Sequence, residues 1–372
     1  MVDTIIKVDL NQSAYENDQI HNRWHPDIPM ACWVNPGDDF ILETYDWTGG
    51  YIKNNDSADD VRDIDLSTVH YLSGPVGVHG AEPGDLLVVN DTRVIPARLA
   101  LRRARGAAVE GLLLTPVQGR TWEALVRPSR RLREGETLLG RHDGDDRRAG
   151  LTVTLGPLRG EGRWEITFDG DDPVDQLLDH WGEVPLPPYI TAGLDDPERY
   201  QTVYARRPGS VAAPTAGLHL STEVLDALHR RGVRLATVEL VVGLGTFRPI
   251  TVERVEDHVM HEERYRIPPE TVDALASAGT VVAIGTTVVR TLESWAATGR
   301  TEGATSLFIH RPYQWKVVDL LMTNFHLPRT TLLMMIDAFV GERWRVLYRE
   351  AIEQRYRFLS FGDAMLLDRS LS

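Results

Sequence analysis

The residues best suited to chemistry lie in short polar links in the second half of the chain. In GSVAAPTAGLHLSTEVLDAL, residues 209–228, small residues surround Thr215 and His219. The helix that follows can be capped by Ser221 or Thr222. A glycine- and alanine-rich loop that enters a helix lets a ligand approach the backbone and leaves N–H groups free to bind it. The alternative is a tight turn whose small residues only permit packing, since glycine-rich turns are common.

A second link, AIGTTVVRTLES, carries polar groups where a strand ends and a helix begins. It contains Thr286, Thr287 and Arg290. In α/β proteins this edge of the sheet is where ligands usually bind. The alternative is a capped helix in which Arg290 forms an ion pair with Glu293, one turn later.

Two more links add candidates for the same edge. MTNFHLPRTTLLMM places Asn324 and His326 between a strand and a helix, and VGLGTFRPI, residues 242–250, is a glycine loop after an apolar strand. This loop lacks the GxGxxG spacing, so a dinucleotide-binding fold is not indicated. A single histidine in a link is more often structural than catalytic, but several such links at one edge of a sheet favour a shared pocket.

Two histidines in VEDHVMHEERY raise the question of a metal site. His258 and His261 stand beside Asp257, Glu262 and Glu263, and a spacing of three residues can put both histidines on one helical face. Metal ligation needs a third committed ligand and a defined geometry. Because no zinc-type motif completes the set, we predict no metal site.

The hydrophobic pattern divides the chain into three regions that must position these links. Residues 1–82 hold short alternating runs broken by turns, which predict a β-rich segment. Residues 83–172 continue with closely spaced strands and predict a small β-barrel or sandwich, from DLLVVN, GLLLTPV, TWEALVRP, GLTVTLG and RWEITFD. Residues 173–372 alternate the helical patterns VDQLLDHW, STEVLDALHRR, PETVDALASA and TVVRTLESWAA with the apolar strands RLATVELVVG, TVVAIG and SLFI. The predicted fold class is α/β, with an α/β barrel-like layer domain plus a small β-barrel domain, preceded by a β-rich N-terminal segment.

The composition is that of an ordinary soluble globular protein. The 372 residues are 42% hydrophobic and 25% charged, and no apolar run approaches the roughly 20 residues that cross a bilayer. The start, MVDTIIKVDL, lacks the apolar stretch of a secretory signal, and the single Cys32 excludes an internal disulfide framework. We expect a cytoplasmic protein with no membrane partner, either a monomer or a weak oligomer.

Charge is distributed unevenly along the chain. Residues 1–82 carry 15 acidic and 4 basic residues, a balance of −11, whereas the rest of the chain has a balance of only −3. Within that rest, arginines cluster over residues 98–105 and 127–133, where guanidinium groups can meet phosphates. From charge alone, a solvated strand face is the more common explanation.

Nine segments after residue 82 occur in an order that is known from other proteins. They are PGDLLVVNDTRVIPARL, ALVRPSRRL, VPLPPYI, YQTVYARRPGSVAAPTAGLHL, VGLGTFRP, VEDHVMH, AIGTT, VVDLLMTNFHLPRTTLLMM and YRFLSFGDAML. Through them, residues 83–372 resemble the S-adenosylmethionine:tRNA ribosyltransferase-isomerase family of queuosine synthesis. The resemblance implies transfer and isomerisation of the ribosyl group of S-adenosylmethionine onto 7-aminomethyl-7-deazaguanine in the wobble position of tRNA. Epoxyqueuosine, adenine and methionine are the implied products, tRNA and S-adenosylmethionine the implied partners, and S-adenosylmethionine is a co-substrate, with no further cofactor.

The resemblance and the chemistry of the links together give a predicted site. The sulfonium of S-adenosylmethionine acidifies its neighbouring C–H group, so a positioned base can start the ribose rearrangement, and the acceptor amine must lose its proton before it attacks. We predict catalytic roles for His219, His326 and Thr215. The predicted substrate-binding residues are Asn324, Arg290, Thr286, Thr287, Gly245, Thr246 and Asp319. The predicted tRNA-binding residues are Arg93, Arg98, Arg127, Arg130 and Arg131.

The beginning of the chain is similar to a different family. The segment that runs from IIKVDLNQSAYENDQIHNRW to AEPGDLLVV, within residues 1–89, resembles the start of a formamidase of the acetamidase/formamidase family. EPGDLLVV suits both families, and the chain crosses from one resemblance to the other there. The alternative functions are therefore a formamidase-type amide hydrolase and an inactive tRNA-binding fusion protein, although about 80 residues rarely build a complete hydrolase pocket.

Three positions depart from the pattern of the ribosyltransferase-isomerase family. Glu183 stands before PLPPYI where the family usually has histidine, Val241 replaces the histidine of LHVGLGTF, and residues 309–313 read IHRPY instead of IYPGY. A lost imidazole removes a group that titrates near neutrality, so these positions bear on ligand positioning or proton transfer.

Overall fold

The computed structural model describes most of the chain from residue 84 onward and short pieces before it. The described residues are 3–8, 18–21, 30–34, 40–44, 72–73, 76–78, 84–141, 150–160, 162–187, 189–190, 194, 196–243, 250, 252 and 254–371.

The described residues of the front segment form short strands that pair two by two. β1 (Asp3–Ile6) pairs with β4 (Phe40–Leu42), β2 (Ile20–His21) with β5 (Leu72–Ser73), and β3 (Cys32–Val34) with β6 (Val76–Val78). Ile6 and Ile20 are buried together in a small apolar cluster. The strands agree with the alternating runs of this segment.

The remaining elements follow in chain order. The strands are β7 (Leu86–Asn90), β8 (Thr92–Val94), β9 (Arg98–Arg103), β10 (Ala108–Gln118), β11 (Thr121–Arg127), β12 (Thr137–Gly140), β13 (Thr152–Gly160), β14 (Arg163–Phe168), β15 (Gly182–Glu183), β16 (Arg207–Ser210), β17 (Arg234–Leu240), β18 (Glu263–Arg266), β19 (Val281–Ile284), β20 (Glu302–Thr305), β21 (Leu320–Asn324) and β22 (Ala364–Asp368). The α-helices of the described residues are α1 (Val174–Trp181), α2 (Thr222–Arg230), α3 (Pro269–Ala276), α4 (Thr286–Thr298), α5 (Thr331–Val340) and α6 (Arg343–Glu353). Short 3₁₀ helices span Pro197–Tyr200, Thr215–His219, Val255–Asp257 and Arg369–Leu371. None of the helices in this part of the chain is both long and apolar enough to cross a membrane.

Six strands close into a small barrel, which confirms the barrel predicted for the second region. They pair in the order β10, β11, β14, β13, β12 and β9, and β9 pairs with β10 to complete the ring. Alternate side chains such as Leu99, Leu101 and Ile166 are buried inside it. The side chains between them, arginines among them on β9, lie on the outer face. The barrel therefore has an apolar interior, with charged side chains on its outer face.

A second sheet holds the parallel strands on which the polar links depend. Its order is β20, β18, β17, β7, β19, β21 and β22, in which β17, β7, β19 and β21 run parallel. One face packs against α3, α4, α5 and α6, and the other against α2 and the 3₁₀ helix Thr215–His219. Within the described ranges, β20 and β22 are the two edges and do not pair, so the predicted barrel-like layer is corrected to an open mixed sheet.

The strand DLLVVN is misplaced in the predicted division of the chain. Its pattern assigns it to the barrel region of residues 83–172, but β7 lies between β17 and β19 in the second sheet. All of its residues are buried. Its partners come much later in the chain, and the apolar run of a buried strand does not reveal which sheet it joins.

The predicted strand SLFI, residues 306–309, is also wrong. The strand is β20, which ends at Thr305 and pairs with β18. Thr305 Oγ1 accepts the N–H of Leu307 at 3.1 Å and turns the chain out of the sheet. Leu307 and Ile309 still pack into the core, which accounts for the apolar pattern.

The chain passes almost directly from the front segment into the buried strand β7. A contact that joins the two parts is the guanidinium of Arg231, which lies 5.2 Å from the ring centre of Trp33. Trp33 is 43% exposed, and an exposed cation–π contact contributes about 0.5–1 kcal/mol. Within the described residues, the apolar cluster of the front segment is small beside those of the barrel and the second sheet. We therefore expect loose coupling of the two parts, and this expectation generates a prediction.

We predict that limited proteolysis cuts the chain between residues 74 and 85 before it cuts β7, because a weakly docked boundary opens more often than a buried strand. The expected product is a stable C-terminal fragment that begins just before β7, identified by mass mapping of the first cleavage products. Resistance of this stretch, together with one cooperative melting transition, would show that the two parts form a single folded unit.

Candidate functional site

The carboxyl ends of the parallel strands bring the predicted links to one edge of the second sheet. β7 ends at Asn90, β19 at Ile284 and β21 at Asn324. Beside β7 lies β17 on one side and β19, followed by β21, on the other. Such a switch in the direction of winding leaves a crevice outside the carboxyl ends of the strands, where ligands of open α/β sheets bind.

Three of the predicted residues are joined by hydrogen bonds at this edge. Thr215 Oγ1 lies 3.0 Å from Asn324 Oδ1, and Asn324 Nδ2 lies 3.1 Å from His219 Nε2. Asn324 is buried. Because its amide oxygen accepts the hydroxyl proton, its N–H donates to His219 Nε2, and the neutral imidazole carries its own proton on Nδ1.

A glycine shapes the turn that presents the threonine and the histidine. The 3₁₀ helix Thr215–His219 packs so closely on Tyr204 that a Cβ atom on Gly217 would lie 1.9 Å from the tyrosine oxygen. A larger residue would have to displace the tyrosine. Helix α2 begins directly afterwards, and the Ser221 hydroxyl accepts the N–H of Val224 at 3.3 Å, which confirms the predicted N-cap.

The last loop of the chain also borders His219, and sequence reasoning missed it. Burial lowers the pKa of His219, the Asp363 carboxylate acts in the opposite direction, and the Arg357 guanidinium adds to the lowering. Asp363 Oδ2 accepts the N–H of Arg357 at 2.6 Å. A Cβ atom on Gly362 would lie 2.4 Å from the Arg357 carbonyl oxygen, so the turn requires glycine. The motif YRFLSFGDAML was the available signal.

A second group of predicted residues lines a cleft at the start of α4. Thr286, Thr287 and Arg290 belong to its lining. The rest of its lining comes from other elements: Met260, Glu263, Leu307, Phe308, Ile309, Thr331, Leu332 and Met335. Thr287 Oγ1 and Arg290 Nε are buried and have no hydrogen-bond partner within the described part of the chain. Polar atoms of this kind in a cleft suit a bound ligand.

Arg290 forms a long-range ion pair instead of the local one considered from the sequence. Its guanidinium contacts the Glu263 carboxylate and donates to two backbone carbonyl oxygens, at 2.8 and 3.1 Å. Both charged side chains are only 6% exposed. Glu293 instead accepts backbone N–H groups of residues 316–318. The intrahelical Arg290–Glu293 pair is therefore wrong, and the arginine charge in the cleft is neutralised by Glu263.

The structure does not bring His326 together with His219. His326 Nε2 lies 3.0 Å from Thr323 Oγ1, and its backbone N–H donates to Tyr348 Oη at 2.9 Å. Successive side chains of a strand point to opposite faces, so Thr323 faces α6 whereas Asn324 faces the site. Burial lowers the pKa of His326 to about 4, so this ring is neutral at neutral pH.

Asp319 is misplaced in the predicted site. It precedes β21, and at about 3.3 Å per residue it lies roughly 16 Å from Asn324 at the other end of the strand. Its carboxylate accepts the N–H of Val281 at 3.0 Å and binds Arg369 at 3.0 Å. It therefore ties the amino-terminal ends of β19 and β21 and cannot reach the site. The predicted Gly245 and Thr246 lie outside the described residues.

The predicted tRNA-binding arginines divide into exposed and engaged side chains. The exposed ones lie at the end of β11 and just after it: Arg127, Arg130 and Arg131. Arg93 pairs with Glu198. Arg98 donates to the carbonyl oxygen of Leu186 at 3.4 Å. The three exposed arginines are therefore the best placed to meet phosphates.

The histidines of VEDHVMHEERY do not complete a metal site in the part of the chain that the structure describes. No group of three or more His, Cys, Asp or Glu side chains able to hold a metal occurs there. His258 instead packs edge-on against Phe308, with the ring centres 5.3 Å apart.

Comparison with known proteins gives one family and several relatives. Residues 78–367 match the family described as "Queuosine biosynthesis protein". A protein of Rubrobacter xylanophilus, named S-adenosylmethionine:tRNA ribosyltransferase-isomerase, is 53% identical over 286 residues, 77% of this chain and 82% of the relative. The crystal structure of S-adenosylmethionine tRNA ribosyltransferase from Thermotoga maritima is 37% identical, covers 77% of this chain and 83% of that one, and has a TM-score of 0.39. A gamma lactamase from Delftia acidovorans is 51% identical over 33% of this chain and 34% of its own, with a TM-score of 0.22.

We predict that His326 makes the folded state sensitive to acid. Its pKa is about 4 in the folded chain and about 6.5 in an unfolded one. The unfolded state therefore binds a proton first as the pH falls, and stability is lost from roughly pH 6.5 down to roughly pH 4. Between pH 8 and pH 5 this histidine should reduce the free energy of unfolding by roughly 2 kcal/mol.

Urea unfolding of the wild type and of His326→Gln at pH 8 and pH 5 measures the effect. The free energy of unfolding should fall by roughly 2 kcal/mol less in the variant than in the wild type. His229→Gln, which changes an exposed histidine of α2, is the matched control and should keep the wild-type dependence. Equal losses in the wild type and in His326→Gln would contradict the assignment.

Proposed function

The chain belongs to the queuosine biosynthesis protein family, and we infer that it is an S-adenosylmethionine:tRNA ribosyltransferase-isomerase. In the proposed reaction, the ribosyl group of S-adenosylmethionine is transferred to 7-aminomethyl-7-deazaguanine in the wobble position of tRNA and isomerised. Epoxyqueuosine forms, and adenine and methionine leave. The observation in the geometry that carries this proposal is the Thr215–Asn324–His219 chain at the ligand edge of the sheet.

His219 is the proposed proton-handling residue. Its lowered pKa keeps the imidazole neutral at neutral pH, and a neutral imidazole can accept a proton from the C–H group beside the sulfonium. The Asn324 amide holds the His219 ring through Nε2. A substrate C–H group that displaces this amide therefore meets an Nε2 atom that is already oriented to accept its proton. Thr215 fixes the amide in turn. In this proposal His326 supports the end of β21 from the opposite face and does not touch substrate.

The cleft at the start of α4 has a volume of about 20 Å³, and in this proposal it receives a polar edge of S-adenosylmethionine, the rest of which lies outside it. It offers the hydroxyl of Thr287 and the Nε atom of Arg290 to a ligand. The co-substrate carries a positive sulfonium, and an unpaired arginine would repel it. The pairing of Arg290 with Glu263 removes that repulsion, so the cleft can lie beside a cationic group and offer hydrogen bonds to a neutral polar edge of the same ligand.

A division of roles between the two large units is also proposed. The barrel, within residues 83–172, presents arginines to tRNA, and the second sheet, built from β7 and residues 173–372, carries the chemistry. Residues 1–82 have no hydrolase role in this proposal. We also propose a cytoplasmic location, because the proposed substrate is a tRNA.

We predict that the purified chain releases adenine when it is incubated with S-adenosylmethionine and tRNA that carries the aminomethyl deazaguanine. His219→Gln should lower the rate about 100-fold or more, because general acid–base groups contribute roughly 10²–10⁴-fold. Adenine is measured by chromatography under single-turnover conditions. His229→Gln is the matched control and should react at the wild-type rate.

The absence of adenine from folded wild-type protein would refute the proposed activity. Tight tRNA binding without adenine release would then favour the inactive binding protein, and ammonia release from formamide would favour the amide hydrolase. An unchanged rate in His219→Gln would refute the role of this histidine alone.

We predict that the exposed arginines of the barrel bind tRNA phosphates. The double variant Arg127→Ala, Arg130→Ala should reduce the slope of log K against log salt concentration by about two units, since each lost phosphate contact removes about one. Filter binding over a range of salt concentrations measures the slope. The control is Arg349→Ala, which changes an exposed arginine of α6 and should leave the slope unchanged. An unchanged slope in the double variant would show that Arg127 and Arg130 do not face tRNA.

A further inference from the structure

Three aromatic rings form a row beside the cleft. The ring centres of His258 and Phe308 are 5.3 Å apart with planes inclined at 65°, and those of Phe308 and His310 are 4.9 Å apart at 51°. Each of the three side chains is half-buried. The row joins the end of the 3₁₀ helix Val255–Asp257 to the extended segment after β20, two parts of the chain that are distant in sequence.

Phe308 is a large aromatic side chain that the hydrophobic core does not use. Its neighbours Leu307 and Ile309 pack into the core of the second sheet, and Phe308 is not part of that cluster. Phe308 lines the same cleft as Thr287 and Arg290, as Leu307 and Ile309 also do. Among these lining residues Phe308 supplies the aromatic ring, so this ring is the flat surface that the cleft offers to a ligand.

The lining of the cleft combines two kinds of chemistry. It contains the aromatic ring of Phe308, and also the buried Thr287 Oγ1 and Arg290 Nε without hydrogen-bond partners in the described chain. The arginine itself is only 5% exposed. Because Glu263 neutralises its charge, the cleft offers a phosphate no net positive charge. A neutral heteroaromatic ring with polar atoms at its edge suits both kinds of group, since its face can stack and its edge can hydrogen-bond.

We propose that the purine of the adenosyl co-substrate stacks on Phe308 between the two histidines. The polar edge of the purine then faces Thr287 Oγ1 and Arg290 Nε. The identity of the ligand rests on the proposed function, which supplies an adenosyl group, whereas the preference for a flat, neutral heterocycle comes from the cleft.

The flanking histidine suits this ligand in charge as well as in shape. Burial lowers the pKa of His258, and the neighbouring His261 lowers it further. The His258 ring is therefore neutral at neutral pH and does not repel the sulfonium that accompanies the purine. This gives His258 a role that does not require a metal.

Calorimetric titration with adenosine, which has the purine and ribose but no sulfonium, tests the proposal without the reaction. Phe308→Leu should weaken adenosine binding between roughly 5-fold and 150-fold, the range for loss of one base–aromatic stack. Phe308→Tyr keeps the ring and should stay within about 3-fold of the wild type. The matched control is Phe40→Leu, which changes an exposed phenylalanine of the front segment. In steady-state assays the KM for S-adenosylmethionine should rise in Phe308→Leu while the KM for tRNA stays constant.

A second variant keeps the test decisive if Phe308→Leu melts early. His310→Ala removes one end of the row, not its centre, and should also weaken adenosine binding. Unchanged adenosine affinity in the folded variants would overturn the proposal. A rise in the KM for tRNA without a rise in the KM for S-adenosylmethionine would also overturn it, because the Phe308 ring would then contact a tRNA base. If the wild type releases adenine and Phe308→Leu binds adenosine as tightly as the wild type, the stacking is refuted and the activity stands. If the wild type binds adenosine but releases no adenine, and Phe308→Leu no longer binds adenosine, the purine site is supported and the activity is refuted.

Discussion

At the end of β7, the amide side chain of Asn90 takes the place of a backbone peptide in the parallel ladder. Its Nδ2 donates to the Leu240 carbonyl oxygen at 3.0 Å, and its Oδ1 accepts the N–H groups of Leu240 at 3.2 Å and Thr92 at 3.3 Å. Asn90 is fully buried, so loss of these bonds would leave polar groups unsatisfied at about 1–3 kcal/mol each. The ladder with β17 is thus completed by a side chain, and the backbone of β7 is free to turn into β8 and towards the barrel.

The position of the candidate site follows from this exit. β8 leads out of the sheet and pairs with β16, which brings the chain back. At the end of β16, the Ser210 hydroxyl accepts the N–H of Val242 at 3.2 Å and donates to the Ala212 carbonyl oxygen at 2.7 Å. The returning chain is thereby fixed to the end of β17 just before the turn that holds Thr215 and His219. β7 and β21 belong to the same parallel array. The distance between this turn and Asn324 of β21 therefore depends on where β7 leaves the sheet.

Local sequence patterns predicted the features that depend on neighbouring residues. Most of the wrong predictions concern contacts between residues that are distant in the sequence. The helix Val174–Trp181 and the Ser221 cap depend on neighbouring residues, and both were predictable. The partner of Arg290 is Glu263 and not the nearer Glu293, because the chain fold and not the helical spacing sets which carboxylate reaches the guanidinium.

The candidate site shows the same division. Thr215, His219 and Asn324 were predicted from links at strand ends, and they meet because parallel strands share one carboxyl edge. Asp319 belongs to the same sequence motif as Asn324, yet a strand separates them, so closeness in a motif did not mean closeness in the site. Asp363 was missed because no local periodicity indicates that the last loop returns to His219.

The charges of the molecule are arranged to serve two ligands of opposite sign in the proposed function. A cationic sulfonium must enter the sheet edge, where His219 is kept neutral by burial and Arg290 is neutralised by Glu263. A polyanionic tRNA must be held nearby, and the exposed cations Arg127 and Arg130 lie on the barrel. An imidazolium at the sheet edge would repel the sulfonium at short range in a medium of low dielectric constant, whereas arginines on the barrel act through solvent and are screened. In the proposed function, the turn after β7 separates the arginines that attract phosphates from the neutral sheet edge that accepts a cation.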